Sequence, residues 1–132
     1  MSERRGGGHQ SDHRQGLGRR GEELAARHLQ RAGLVAIDRN VRLPWGEIDL
    51  VMREADELVF VEVKTRIGDD STAPDEIVNL AKLQRLERLA EAYVERLGDP
   101  TVAWRVDVVA VVLGRDGRVV RIDHLAGAFL ET

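Results

Sequence analysis

Between residues 17 and 32, Gly21, Leu24, Ala25, His28, Leu29 and Ala32 fall on one stripe at helical spacing, and Gly33 follows as a stop. This pattern predicts an amphipathic first helix from about Leu17 to Ala32. Leu34–Val41 is short and β-branched enough for a strand. The turn signal Pro44-Trp45-Gly46 comes next, and strict alternation through Glu47–Val51 predicts a second strand. Beyond a charged hairpin tip at Glu54–Glu57 lies Leu58–Lys64, the most strand-like run of the chain and apolar enough to be central in a sheet. Gly68–Pro74 reads as a polar loop. The stripe Leu83, Leu86, Leu89, Ala90, Tyr93, Val94 and Leu97 marks a second helix over 79–97, closed by Gly98 and Pro100. Val102–Leu113 predicts a long strand, with Arg118–Leu125 pairing back on it through the turn at 114–117. The order α-β-β-β-α-β-β gives an α/β fold in which two helices are free to cover opposite faces of a mixed central sheet.

A chain of 132 residues with 42% apolar positions has the size and the core of one domain. Residues 1–14 are rich in Gly, Ser, His and Arg and have almost nothing to bury, so they are expected to form a disordered basic tail ahead of a domain over 15–132. His9 and His13 belong to that tail. There is no cysteine, which excludes disulfides, zinc-thiolate sites, iron–sulfur clusters and a cysteine nucleophile; any metal must bind through oxygen or histidine. No apolar segment follows the N-terminal arginines, and no stretch approaches the roughly 20 apolar residues of a membrane helix, so a soluble cytoplasmic protein is expected.

The net charge of −3 is uneven: residues 1–20 carry +3 and the remainder −6. So acidic a body is unlike a protein that coats DNA by neutralising phosphates. A metal-dependent nuclease still fits, because a carboxylate cluster supplies much of the negative charge and the metal it binds offsets it.

Strand geometry brings the candidate chemistry together. Residues two apart on a strand share a face, so Glu62 and Lys64 point the same way, as do Glu47 and Asp49. A hairpin turning near Glu54–Glu57 pairs the two strands so that Asp49 stands beside Glu62. Two carboxylates and a lysine among Val, Ile and Phe are costly unless a partner neutralises them, and a divalent cation is a natural one. Asp49 and Glu62 would supply two oxygens and the main-chain carbonyl of Val63 a third, with waters and phosphate oxygens completing the octahedron of Mg²⁺ or Mn²⁺. Lys64 would orient or help deprotonate the attacking water, or stabilise charge on the phosphate. The competing reading is a cross-strand salt bridge on a solvated face.

Other residues have plainer readings beside the functional ones. Glu22 lies on the flank of the first helix's apolar stripe and could reach a site at the sheet edge, whereas Glu23 points nearly opposite; a first-turn acid favoured by the helix dipole is the alternative for Glu22. Lys82, at the edge of the second helix's stripe, is either a phosphate ligand or a snorkelling lysine. Arg105 and Asp107 share a strand face and are expected to pair with each other. His28 is expected at the core boundary, and Trp45 and Trp104 as core or turn anchors rather than base-stacking platforms.

Gly21-Glu22-x-x-Ala25, Asn40-Val41-Arg42, Gly46-Glu47-Ile48-Asp49-Leu50-Val51, Leu58 to Arg66, Lys82 and Arg105 to Val109 together resemble the YraN family of uncharacterised bacterial proteins. That family is similar to archaeal Holliday-junction resolvases of the restriction-endonuclease-like superfamily. The resemblance implies an α-β-β-β-α-β core and divalent-metal nuclease chemistry. It places the motif acid on Asp49, the Glu-x-Lys pair on Glu62 and Lys64, and the helix-one glutamate on Glu22; Arg66 and Lys82 are taken as nucleic-acid contacts. The expected function is an Mg²⁺-dependent endonuclease acting on branched or structured DNA, with a non-catalytic nucleic-acid- or protein-binding module of the same fold as the alternative. A homodimer and a partner protein in DNA repair or recombination are further expectations, since cutting two strands calls for two sites.

Overall fold

A computed structural model describes residues 2–69, 71 and 79–127, with side chains from Gly16 onward. The elements are α1 (Ser2–Arg31), β1 (Val35–Leu43), β2 (Gly46–Glu54), β3 (Glu57–Ile67), α2 (Leu80–Leu97), β4 (Ala103–Leu113) and β5 (Val119–Leu125). The chain is thus a mixed α/β fold in the expected order. The backbone of α1 starts at Ser2, ahead of the start that the apolar stripe gives near Leu17; no proline stands before Pro44 to break it. Of residues 2–15, most of them in the expected tail, only the helical backbone is described; their side chains lie outside the described residues. So does most of the loop expected at Gly68–Pro74. Among the described residues, no helix is long and apolar enough to cross a membrane.

The five strands lie in the order β1-β2-β3-β4-β5. Only β3 and β4 run parallel, joined across one face by α2; the other neighbours are antiparallel. On one face of the sheet, Ala25, Ala26 and Leu29 of α1 pack with Leu50, Met52, Val59, Val61, Val109 and Val111. On the other, Leu83, Leu86, Leu89 and Ala90 of α2 pack with Ile48, Val51, Phe60 and Val108. Phe60 packs edge to face with Tyr93 and with Trp104 at centroid distances of 5.4 and 5.8 Å. Each buried Leu, Val, Ile, Met or Phe among them contributes about 1.5–3 kcal/mol, so these two layers are what hold the helices on the sheet.

The ends of both stripes depart from the sequence pattern. Ala32 lies past the last residue of α1 and is exposed, while Ala26, off the expected stripe, is fully buried. Leu97 ends α2 half exposed. The start of α2 is fixed by Asn79, whose side chain accepts from the Lys82 N–H at 3.2 Å, and its end by Gly98, in the left-handed region at φ 76°.

The feature that positions the site is a split in the sheet. β2 and β3 pair from Glu54↔Glu57 only as far as Leu50↔Val61. Beyond that point β2 stays with β1 to Leu43↔Gly46, while β3 stays with β4 to Ile67↔Leu113. The next residues in register on the two parting strands are Asp49 and Glu62.

Candidate functional site

Where two strands part, the main-chain groups that faced each other lose their ladder partners and need others. Asp49 supplies one: its Oδ2 accepts the Val63 N–H at 2.9 Å. The carboxylate is therefore held by backbone as well as by its own strand. Glu62 and Lys64, two apart on β3, share a face, and Lys64 Nζ lies 3.0 Å from Glu62 Oε2, with side chains only 17% and 20% exposed.

The third wall comes from α1. Gly21 is fully in the interface with β3, where a side chain would overlap Thr65, so the absent Cβ lets α1 lie against the strand. Glu22 follows directly and its Oε1 accepts from Asn40 Nδ2 at 3.0 Å. Asn40 itself sits in the left-handed region at φ 49°, a conformation Asn tolerates better than most residues. Leu17, Gly18 and Glu22 of α1 together with Asp49 and residues 62–65 enclose a cleft of about 380 Å³. Glu23, by contrast, leaves the cleft and pairs with Arg27 and Arg39, the latter at 2.7 Å, tying α1 to β1.

The electrostatics of the cleft are strained in one direction. Burial, reinforced by the charges of Glu62, Glu22 and Glu47, pushes the Asp49 carboxyl up to about 7 in spite of the Val63 N–H. On the far side, Lys82 is held below the ordinary lysine value by the hydrogen bond and charge of the neighbouring Lys64. Like charges are thus crowded twice: carboxylates around Asp49, and ammonium groups at Lys64 and Lys82.

Glu22, Asp49, Glu62, Val63 and Lys64 therefore meet in one cleft, and Lys82 reaches its rim through Lys64. Arg66 is exposed on β3 and does not line it. Arg105 and Asp107 pair as expected, Nε to Oδ1 at 3.0 Å. Asp107, however, is fully buried and also accepts from the Gly127 N–H at 2.8 Å and meets His124 Nε2 at 2.7 Å. It takes no part in the cleft. His28 lies at the core boundary and Trp104 against Phe60, but Trp45 is 53% exposed and anchors nothing in the core.

Sequence reasoning missed Thr65, Gly18 and Asn40 as parts of the site. A signal existed for Thr65, since a glycine inside a helix's apolar stripe marks a close approach. For Asn40 the signal was weaker: a left-handed residue in a strand shows only as an Asn.

The donor set is oxygen alone. Among the described residues no three His, Asp or Glu side chains are gathered to hold an ion, so a cation here would rest on Asp49, Glu62 and main-chain or solvent oxygen. That set fits a hard divalent ion such as Mg²⁺ or Mn²⁺, and the crowding of carboxylates about a buried Asp49 is the imbalance such an ion relieves.

The sequence profile of the family described as "Uncharacterised protein family UPF0102" matches residues 21–111. The UPF0102 protein of Pelotomaculum thermopropionicum is 42% identical over 119 residues, covering 90% of this chain and 99% of the relative. That of Rhodococcus jostii is 44% identical over 117 residues, 89% and 98% of the two chains. That of Chloroflexus aurantiacus is 47% identical over 113 residues, 85% and 91%.

Proposed function

The chain belongs to the uncharacterised protein family UPF0102, and for it we propose a metal-dependent nuclease that hydrolyses phosphodiester bonds in branched or structured DNA. One observation carries the reading: Asp49 and Glu62 meet where β2 leaves β3, beside Lys64, inside a cleft that α1 closes with Glu22.

Asp49 and Glu62 would hold Mg²⁺ or Mn²⁺ together with the Val63 carbonyl. Bound there, the ion supplies Lewis-acid polarisation of the phosphate and a water acidic enough to attack at neutral pH. The Val63 N–H fixes one Asp49 oxygen and leaves the other free to ligate. Lys64 presents its ammonium to the phosphate oxygens as charge builds on them. Glu22, oriented by Asn40, accepts a proton from the attacking water or positions it. Lys82 and Arg66 contact phosphates of the strand on either side. Water adds to phosphorus, the ester oxygen leaves with the pair of the broken P–O bond, and a solvent proton caps it. A homodimer would present two such clefts for two strands, and a DNA-repair or recombination protein is the fitting partner.

A second reading rests on Glu62 being already paired with Lys64: a non-catalytic nucleic-acid- or protein-binding module of the same fold. Titration with Mg²⁺ and Mn²⁺ by calorimetry, for the wild type beside Asp49→Ala, Glu62→Ala and Lys64→Ala, followed by incubation with labelled junction, flap and duplex DNA, separates the two. Metal binding and cleavage that vanish together in folded Asp49 and Glu62 variants support the nuclease. Metal binding without cleavage supports the module. No metal binding by a wild type as stable as its variants sinks both.

A further inference from the structure

A second cleft of about 560 Å³ adjoins the first and shares Gly18 and Glu22 with it. Its remaining lining is Arg19, Asn40, Arg42 and Glu47. Arg42 and Glu47 face each other across the β1–β2 hairpin with Nε and Oε2 4.0 Å apart, and the Arg42 side chain is 90% exposed, so it is free to turn to another anion. Arg19 is exposed and has no ion-pair partner among the described residues.

The same hairpin stays paired through Leu43↔Gly46, and Leu43 is buried, so its tip is held by the core. At that tip stands Trp45, 53% exposed, the most solvent-accessible aromatic residue among those described. Three residues at the usual strand rise put it at most about 10 Å along the chain from the position of Arg42. Among the described residues the ring makes no aromatic pair and no hydrogen bond, and the net charge of −3 leaves phosphate neutralisation a weak source of affinity for nucleic acid. An exposed indole at the tip of the hairpin that carries Arg42 supplies the other source, stacking, which tolerates any base but needs that base unpaired.

We propose that the β1–β2 hairpin tip and this second cleft bind an unpaired DNA strand, one base stacked on Trp45 and the flanking phosphates held by Arg42 and Arg19, so that the strand runs past Glu22 toward Asp49 and Glu62. The direction of the strand rests on the nuclease reading; the stacking does not. Branched and flapped substrates would then be preferred because they offer a free base, and duplex DNA would bind weakly.

The test uses the full chain in chelator, where no cleavage interferes, and reads tryptophan fluorescence on addition of a short poly(dT) strand, the same length of duplex, or poly(U). Poly(dT) is expected to quench and duplex not. Trp45→Phe is expected to abolish the quench, which separates it from Trp104, and Trp45→Ala to weaken binding about tenfold or more. Two phosphate contacts give a log–log salt slope of about −1.4, and Arg42→Ala should take about 0.7 off it. Because Trp45 is exposed, an unchanged melting temperature confirms that the variants fold. If Trp45→Ala binds poly(dT) and cuts flaps as well as the wild type, the stacking surface is wrong while the nuclease stands. Trp45-dependent binding of poly(dT) without cleavage of any substrate upholds the surface and removes the nuclease. Tighter Trp45-dependent binding of poly(U) overturns DNA as the occupant, and binding of no strand at all overturns the surface.

Discussion

Gly21 of α1 and Thr65 of β3 occupy one another's space: a Cβ built on Gly21 would overlap the Thr65 hydroxyl outright and lie 2.9 Å from its Cβ. The contact sets how closely α1 lies on β3, and so where Glu22 enters the cleft. Replacing a helix-interior glycine by alanine usually gains about 1 kcal/mol. Here the overlap outweighs that gain, since forcing atoms into a packed interface costs about 1–3 kcal/mol. Gly21→Ala is expected to lower stability, and Gly21→Ala with Thr65→Ala to recover part of the loss, since the residue 65 Cβ stays 2.9 Å away, in urea unfolding of both. A single variant as stable as the wild type would show that α1 is not seated by this contact.

Asp49 gives a prediction whose sign is fixed by its environment. Burial and neighbouring carboxylates raise its folded value to about 7 from an ordinary 3.8. The folded state thus binds the proton more tightly than the unfolded one, so this group's contribution to stability falls as pH rises between about 4 and 7, and above 7 the full penalty is present. A shift of that size amounts to up to about 4 kcal/mol. Asparagine removes the charge and keeps an oxygen for the Val63 N–H. In chelator, Asp49→Asn should be more stable than the wild type at pH 8, with the gap narrowing by roughly 2 kcal/mol at pH 5. Equal unfolding midpoints at both pH values would mean the carboxylate is not under this strain. Mg²⁺ should narrow the gap at pH 8, by about 2.7 kcal/mol at a hundred times Kd, because the wild type gains more from it.

Much of this arrangement is legible in the sequence, for reasons that differ by residue. Leu58–Lys64 reads as a central strand because its apolar run is unbroken, and counting back round the hairpin at Glu54–Glu57 sets Asp49 against Glu62. Alternation says nothing about where pairing stops, so the parting of β2 from β3 after Leu50↔Val61 was not legible, nor was the left-handed Asn40 that accompanies it. The Arg105–Asp107 pair was readable from their shared face. That Asp107 is fully buried was not, because its other partners, His124 and Gly127, arrive from β5 and the turn beyond it. Trp45, read as a core or turn anchor, stands in the β1–β2 turn half exposed, while its neighbour Leu43 is the buried residue there.

The Asp107 cluster should be structural and separable from the cleft. Burial pushes this carboxyl up, but hydrogen bonds from His124, Arg105 and the Gly127 N–H outweigh it and leave the group below its ordinary value. A depressed folded value means the stabilisation is complete above the unfolded value near 4 and is lost as pH falls through the folded one. Arg105 also binds Glu54 and Glu57, at 2.8 and 2.9 Å, so the cluster clamps the β2–β3 hairpin to β4. Asp107→Ala should cost about 3 kcal/mol or more, since it leaves Arg105 and His124 without their buried partner. Metal affinity per folded molecule, measured by calorimetry, should stay the same. A loss of metal binding at unchanged stability would instead make Asp107 part of the site.

Lys64 distinguishes a working site from an ion pair. If its ammonium only balances Glu62, then Lys64→Met costs stability and nothing else. If it faces the phosphate, two effects should part company. The freed Glu62 carboxylate loses its competitor at 3.0 Å, so Mg²⁺ should bind at least as tightly as in the wild type. Cleavage at saturating metal should fall about 100-fold, the usual cost of removing one group that meets developing charge. In chelator the variant should be less stable by about 1–2 kcal/mol, because a mostly buried carboxylate has lost its partner, and metal should restore the difference. Calorimetry, flap cleavage and urea unfolding on one preparation give all three values. Weaker metal binding together with weaker cleavage would place Lys64 in support of the carboxylates rather than at the phosphate.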